Sequence, residues 1–220
     1  MDVFVVAAHP DDELLGLGGT VLRHRAEGDE VHVLVMSEGA SSRYEDHMGS
    51  KLARSAEAAA EVLGVSSIEL AGWPDQRMDA VPLIDLTQYI EERMRERSPH
   101  ILYTHFPHDV NADHGVVARA AWTAARSYSQ PKLRQIYAFE TPSSTEWAWP
   151  SPETAFHANH FVDISGHLDR KLEAMACYES ELRPDPHPRS LRSLRTIAQR
   201  WGSVIGVEAA EAFVTLRSVR

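Results

Sequence analysis

The stretch "VVAAHPDDELLGLGGT", residues 5–20, decides the fold. An apolar run stops at His9-Pro10, three acids follow, and a leucine- and glycine-rich segment comes next. Continuous apolar residues bounded by turn signals read as a strand buried on both faces, here 3–8, as in parallel sheets. A helix is expected over 16–27, closed by Gly28. Working outward, the same alternation repeats: strands over 31–37 ("VHVLVMS"), 67–71, 101–105 ("ILYTH") and 135–140 ("QIYAFE"), separated by helices over 51–63, 83–97 and 115–127. Strands alternating with helices predict an α/β fold, a Rossmann-like, mostly parallel sheet with helices on both faces. The segment 141–159, rich in Ser, Pro and Trp, reads as a long ordered loop. A C-terminal extension should then carry a short strand ("HFVDIS", 160–165), a helix over 168–180, a loop "RPDPHPRS" (183–190), a helix over 191–201 and a final segment "EAAEAFVTLR" (208–217). The 220 residues suit one domain, 1–220, with a sizeable core.

Composition narrows the function classes. A formal net charge of −10 leaves no basic stripe to neutralise phosphates, so no nucleic-acid partner is expected. The longest apolar runs are strand-sized, so no membrane span is expected. Cys177, the single cysteine, cannot form an intrachain disulfide and fits a reducing compartment. With no signal-peptide pattern in sight, a cytoplasmic location is the expectation.

Three adjacent carboxylates, Asp11, Asp12 and Glu13, repel one another, and something must offset that repulsion. In a sheet of Rossmann order strands one and four are neighbours, and ligands bind beyond their carboxyl ends, where the order reverses. Strand four delivers "THFPHDVNADHG" (104–115) to the same crevice as "HPDDE". His9 and Asp12, three apart with Pro10 fixing the turn, can point at one ion, and His114 can complete the set. Two imidazoles and a carboxylate with an open position are a catalytic zinc set, although such N/O ligands also accept Fe2+. A +2 ion would offset the repulsion and lower the pKa of a bound water toward ~7. Asp11, beside a ligand but free itself, is placed to take that water's proton. Asp113 can hold a ligand histidine or Asp11 in place. The competing readings are ordinary: acids after a strand cap a helix, and Asp109, Asn111 and Asp113 alternate like turn residues, at least one of them structural. "GLGG" (16–19) is a poor phosphate cradle, since acids precede it and no GxGxxG spacing exists.

At "AHPDDELLGLGGT" and "HDVNADHG" the sequence resembles the PIG-L/LmbE family of zinc-dependent N-deacetylases. The likeness extends to "GDEVHVLVMSEG", "RSAEAAAEVLGV" and the ending "PHPRS…GVEAAEAF". It implies release of acetate from an N-acetylated amino sugar, nucleotide sugar or glycoconjugate, with His9, Asp12 and His114 as zinc ligands and Asp11 as general base. It implies that Arg54 lies near the substrate and the catalytic carboxylates, and that the chain forms a homo-oligomer, a trimer or hexamer. Where many members carry a histidine three residues before the last ligand, this chain has Asn111. An amide still donates to an oxyanion but cannot protonate a leaving amine, a task left to His187 or to protonated Asp11. Asp113 and Arg54 are grouped on the substrate side, with Trp147 and Trp149 offering flat faces to a pyranose and Ser143, Ser144 and Glu146 offering hydroxyl partners. An amidase acting on a thiol conjugate or another acylamine would use the same machinery. A non-catalytic nucleotide-binding module is the reading from a different class.

Overall fold

The computed structural model describes residues 1–37 and 48–220. Glu38 and Gly39, the end of one family-like stretch, lie outside them. The strands are β1 (Asp2–Ala7), β2 (Glu30–Ser37), β3 (Ser67–Trp73), β4 (Ile101–His105), β5 (Gln135–Phe139), β6 (His160–Asp163) and β7 (Ala210–Ser218). The helices are α1 (Asp12–Ala26), α2 (Met48–Leu63), α3 (Leu83–Arg97), α4 (Ala112–Ala124), α5 (Leu168–Ala176) and α6 (Leu191–Ile205). They build one sheet in the order β3-β2-β1-β4-β5-β7-β6. The first five strands are parallel, and β1 pairs with both β2 and β4, so the order reverses between β1 and β4 as the sequence predicts.

Alternate strand residues feed two cores. Val3, Val5, Val33 and Tyr103 pack with α1, α2, α5 and α6 on one face. Phe4, Val6, Leu34 and Leu102 pack with α3 and α4 on the other. This two-sided burial is why the strands lack polar alternation.

The extension departs from expectation. Its last segment is a nine-residue strand, β7, that inserts antiparallel between β5 and β6. Helix α1 starts at Asp12, four residues earlier than expected, and bends at Leu17 (φ −149°). The glycines around the bend permit close packing: a Cβ on Gly16 would meet the Phe139 ring at 2.3 Å, and one on Gly19 would meet Ile164 at 2.7 Å. The bend frees backbone donors in mid-helix. Buried Glu211 of β7 accepts from the Gly19 and Thr20 amides at 2.9 and 2.6 Å, and buried Lys171 of α5 donates to Glu211 at 2.6 Å and to the Leu15 carbonyl at 3.1 Å. The extension thereby fixes the helix that carries the acid cluster.

Candidate active site

The carboxyl ends of β1 and β4 open into a cavity of about 400 Å³. His9 leaves β1, Asp11 and Asp12 begin α1, and His114 lies in the first turn of α4, whose N-cap is Asn111. The Asn111 carboxamide oxygen accepts from the Asp113 amide at 3.0 Å, so the structural duty expected in this loop falls to it. Three ligand-type atoms converge. His9 Nδ1 lies 3.2 Å from His114 Nε2 and 3.2 Å from Asp12 Oδ2, and His114 Nε2 lies 3.3 Å from Asp12 Oδ2. Tetrahedral ligands at ordinary zinc distances stand about 3.3–3.4 Å apart. The triangle therefore matches one face of such a site, and the donor set fits a divalent ion.

Each imidazole is backed by a carboxylate on its other nitrogen, the arrangement that fixes the ring and tautomer of a metal-binding histidine. His9 Nε2 faces Asp113 at 3.0 Å and Asp75 at 3.4 Å. His114 Nδ1 faces Asp109 at 3.3 Å, and Asp109 also accepts from the hydroxyls of Ser144 and Thr145. Burial is the largest influence on His9 and opposes its charge, yet hydrogen bonds to Asp113 and Asp12 prevail and push it up to about 10. The same contest, with Asp12 and Asp109 prevailing, pushes His114 up to about 9. Such a pocket favours a cation.

A third imidazole, His105, stacks on His114 with ring centroids 4.0 Å apart. Its Nε2 accepts from the Ala8 amide at 2.8 Å, and its Nδ1 donates to Thr141 Oγ1 at 3.1 Å. Burial first, then the neighbouring His114, lowers it to about 4, so it is a neutral brace.

Asp11 lines the cavity in an unusual backbone conformation, φ 107°. Glu13 accepts from the Asp11 amide at 3.1 Å and from Tyr178 Oη at 2.7 Å, which pins that conformation. Desolvation and then the adjacent Asp12 charge raise the Asp11 carboxyl well above its usual range, while Asp12, although desolvated, is held well below it by the charge of His114. Two neighbouring carboxyls pushed apart in this way divide into a fixed charge and a proton carrier.

Asn111, His187 and Trp147 line the cavity, with Trp147 edge-on to the His187 ring at 6.0 Å. His187 Nδ1 accepts from the Arg189 amide at 3.1 Å, and burial, Arg189 and Arg183 together lower its pKa. Four residues fall elsewhere than the substrate-side grouping expects, among them Glu146, which accepts from the Ser143 and Ser144 amides at 2.7 and 3.1 Å outside the cavity wall. Asp113 is buried behind His9, where it also accepts from the Gln76 and Met78 amides at 2.7 and 3.0 Å; it backs the His9 ring and is not part of the cavity wall. Arg54 is exposed on α2 and is not part of the cavity wall. The exposed Trp149 is not part of it either. Sequence reasoning missed Asp75, Gln76, His105, Glu181 and Arg189. Of these, His105 and Arg189 stood inside stretches already singled out, "THFPHDVNADHG" and "PHPRS".

Known proteins share this arrangement of elements. The chain is 26% identical to the diacetylchitobiose deacetylase of Thermococcus kodakarensis over 95% of its own length and 80% of the relative's. The structure of N,N'-diacetylchitobiose deacetylase from Pyrococcus horikoshii, bound to its inhibitor, superposes with a TM-score of 0.78 at 22% identity, covering 98% of this chain and 84% of that one. GalB, the 4-carboxy-2-hydroxymuconate hydratase of Pseudomonas putida, superposes with a TM-score of 0.79 at 23% identity, covering 100% and 97%. At such identities the two structural likenesses speak for the fold. The family model described as PIG-L, GlcNAc-PI de-N-acetylase, matches residues 4–125, the segment that supplies His9, Asp11, Asp12 and His114, and the chain belongs to that family.

Proposed function

We propose that this protein hydrolyses the acetamide of an N-acetylated amino sugar, releasing acetate and a free amine. One observation carries the reading: the triangle of His9, Asp12 and His114 atoms beside the Asp11 carboxylate, in a cavity large enough for a hexosamine. Membership of the PIG-L family and the diacetylchitobiose deacetylase relative support it. His9, Asp12 and His114 would hold a divalent ion, zinc by preference. When bound, such an ion supplies Lewis acidity and brings the pKa of water toward ~7. Asp11 takes the proton of the attacking water as its oxygen bonds to the acetamide carbon. The Asn111 amide donates to the developing oxyanion, a kind of contact worth about 3–4 kcal/mol where it has been removed. Asp11 then returns the proton to nitrogen, the C–N bond breaks, and acetate and amine leave. His187 and Trp147 hold the sugar, the imidazole by donating to a hydroxyl and the indole by its flat face.

The test is acetate release by the zinc-loaded protein across free, nucleotide-linked and glycosidic N-acetyl amino sugars, alongside acylated thiol conjugates. Release from the sugars, reduced roughly 10²–10⁴-fold in Asp11→Asn with zinc retained, is the expected result. Turnover confined to non-sugar acylamines, or an undiminished Asp11→Asn protein, contradicts it.

A further inference from the structure

Arg189 is, among the described residues, the one arginine or lysine in the cavity wall. Its Nη1 lies 3.3 Å from Asp11 Oδ2 and 3.0 Å from Glu181 Oε2, and its side chain is 17% exposed. We propose that Arg189, anchored by Glu181, positions the Asp11 carboxylate for proton transfer, the place near the catalytic carboxylates that the family resemblance gives to Arg54. The inference rests on the reading of Asp11 as the base.

Among the described residues, Arg189 is the one whose side chain donates to the Asp11 carboxylate. Asp11 stands beside Asp12, whose charge repels it, and Glu13, itself held by Tyr178, contacts only the Asp11 backbone amide. The guanidinium holds the side chain itself. The platform beneath it is firm: the Arg189 amide donates to His187 Nδ1, and Ser190 caps α6 by accepting from the Ser193 amide at 3.0 Å. Glu181, buried in the segment after α5, accepts from the same Nη1 that faces Asp11. A base displaced by 1 Å loses on the order of 10²-fold in rate. An ammonium on a flexible stem offers the charge without the rigid, planar geometry of the guanidinium.

The experiment compares Arg189→Met, Arg189→Lys and Glu181→Gln with the wild-type protein by kcat, KM, bound zinc and crystal structure. Arg189→Met should lose about 100-fold in kcat with KM within about threefold and one zinc retained. Arg189→Lys should fall between it and the wild type. Glu181→Gln, the second variant should the methionine one fail to fold, should lose kcat in the same sense. The Asp11 carboxylate should move away from its wild-type position while His9, Asp12 and His114 stay. An unchanged kcat, a rise in KM alone, loss of zinc in step with activity, or an unmoved Asp11 overturns the proposal. Failure of the wild-type protein to release acetate would instead strike the hydrolase reading, because the crystallographic readout does not depend on turnover.

Discussion

Replacing Glu211 by glutamine tests whether the C-terminal extension holds the catalytic helix. In the native chain the carboxylate is 4% exposed and receives three donors: the Gly19 and Thr20 amides and the Lys171 ammonium. Glutamine keeps the shape but removes the charge, so Lys171, itself 5% exposed, loses its ionic partner, and the Nε2 that replaces one oxygen is a donor that no longer accepts from an amide. Breaking one half of a buried ion pair costs about 3–5 kcal/mol. For a chain of this length that lowers Tm by roughly 6–20 °C. Lys171→Met leaves Glu211 with its two amide donors, so its cost should be smaller by about one charged hydrogen bond, ~1.5–3 kcal/mol. The double variant should lose less than the two single losses added, with a coupling of about 0.5–3 kcal/mol. Urea unfolding followed by tryptophan fluorescence measures all four proteins. A loss below ~1 kcal/mol for Glu211→Gln, or losses that add within ~0.5 kcal/mol, would refute the reasoning.

The remaining predictions concern the ligand shell and the bend in α1. Asp113→Asn removes the carboxylate behind His9 and should weaken zinc binding 10–100-fold, roughly, without abolishing it; competition against a chromophoric chelator reads this, and an unaltered affinity contradicts it. His9 and His114, held at about 10 and about 9, are protonated at pH 7 and must lose those protons to a metal. Zinc affinity should therefore fall as pH is lowered, by up to about 100-fold per unit, with nearly two protons released in titration calorimetry across buffers; a pH-independent affinity opposes this. Gly19→Ala places a Cβ 2.7 Å from Ile164 Cδ1 and 2.9 Å from its Cβ, both in a packed core, and should cost about 1–3 kcal/mol in urea unfolding. A neutral or stabilising change would mean that Gly19 and Ile164 are not in contact as described.

The parallel half of the fold was legible because burial on two faces leaves a mark on sequence: "VHVLVMS" and "ILYTH" can hardly be anything but interior strands. The antiparallel half was not. "EAAEAFVTLR" carries alanines and two glutamates, and its place between β5 and β6 depends on Glu211 meeting amides nearly two hundred residues earlier in the chain. The glycines of α1 delayed its expected start, since a sequence shows their low helix propensity and conceals the phenylalanine and isoleucine that need the space. In the site, the ligand atoms were readable from spacing within two loops joined by a switch point. Asp113 behind His9 was readable in the same way, whereas Asp75, Glu181 and Arg189 were not, because they reach the site from outside those two loops, after β3 and between α5 and α6. Arg54 shows the converse: its sequence context matches, and the structure leaves it exposed on α2.

The central claim is that one divalent ion is held jointly by the loops after β1 and β4. Metal analysis after zinc saturation and dialysis tests it directly, on the wild-type protein and on His9→Ala and His114→Ala, one variant from each loop. One equivalent in the wild type and well under a tenth of it in each variant is the expected result. A wild-type protein that returns no metal, or variants that keep a full equivalent, would contradict the account.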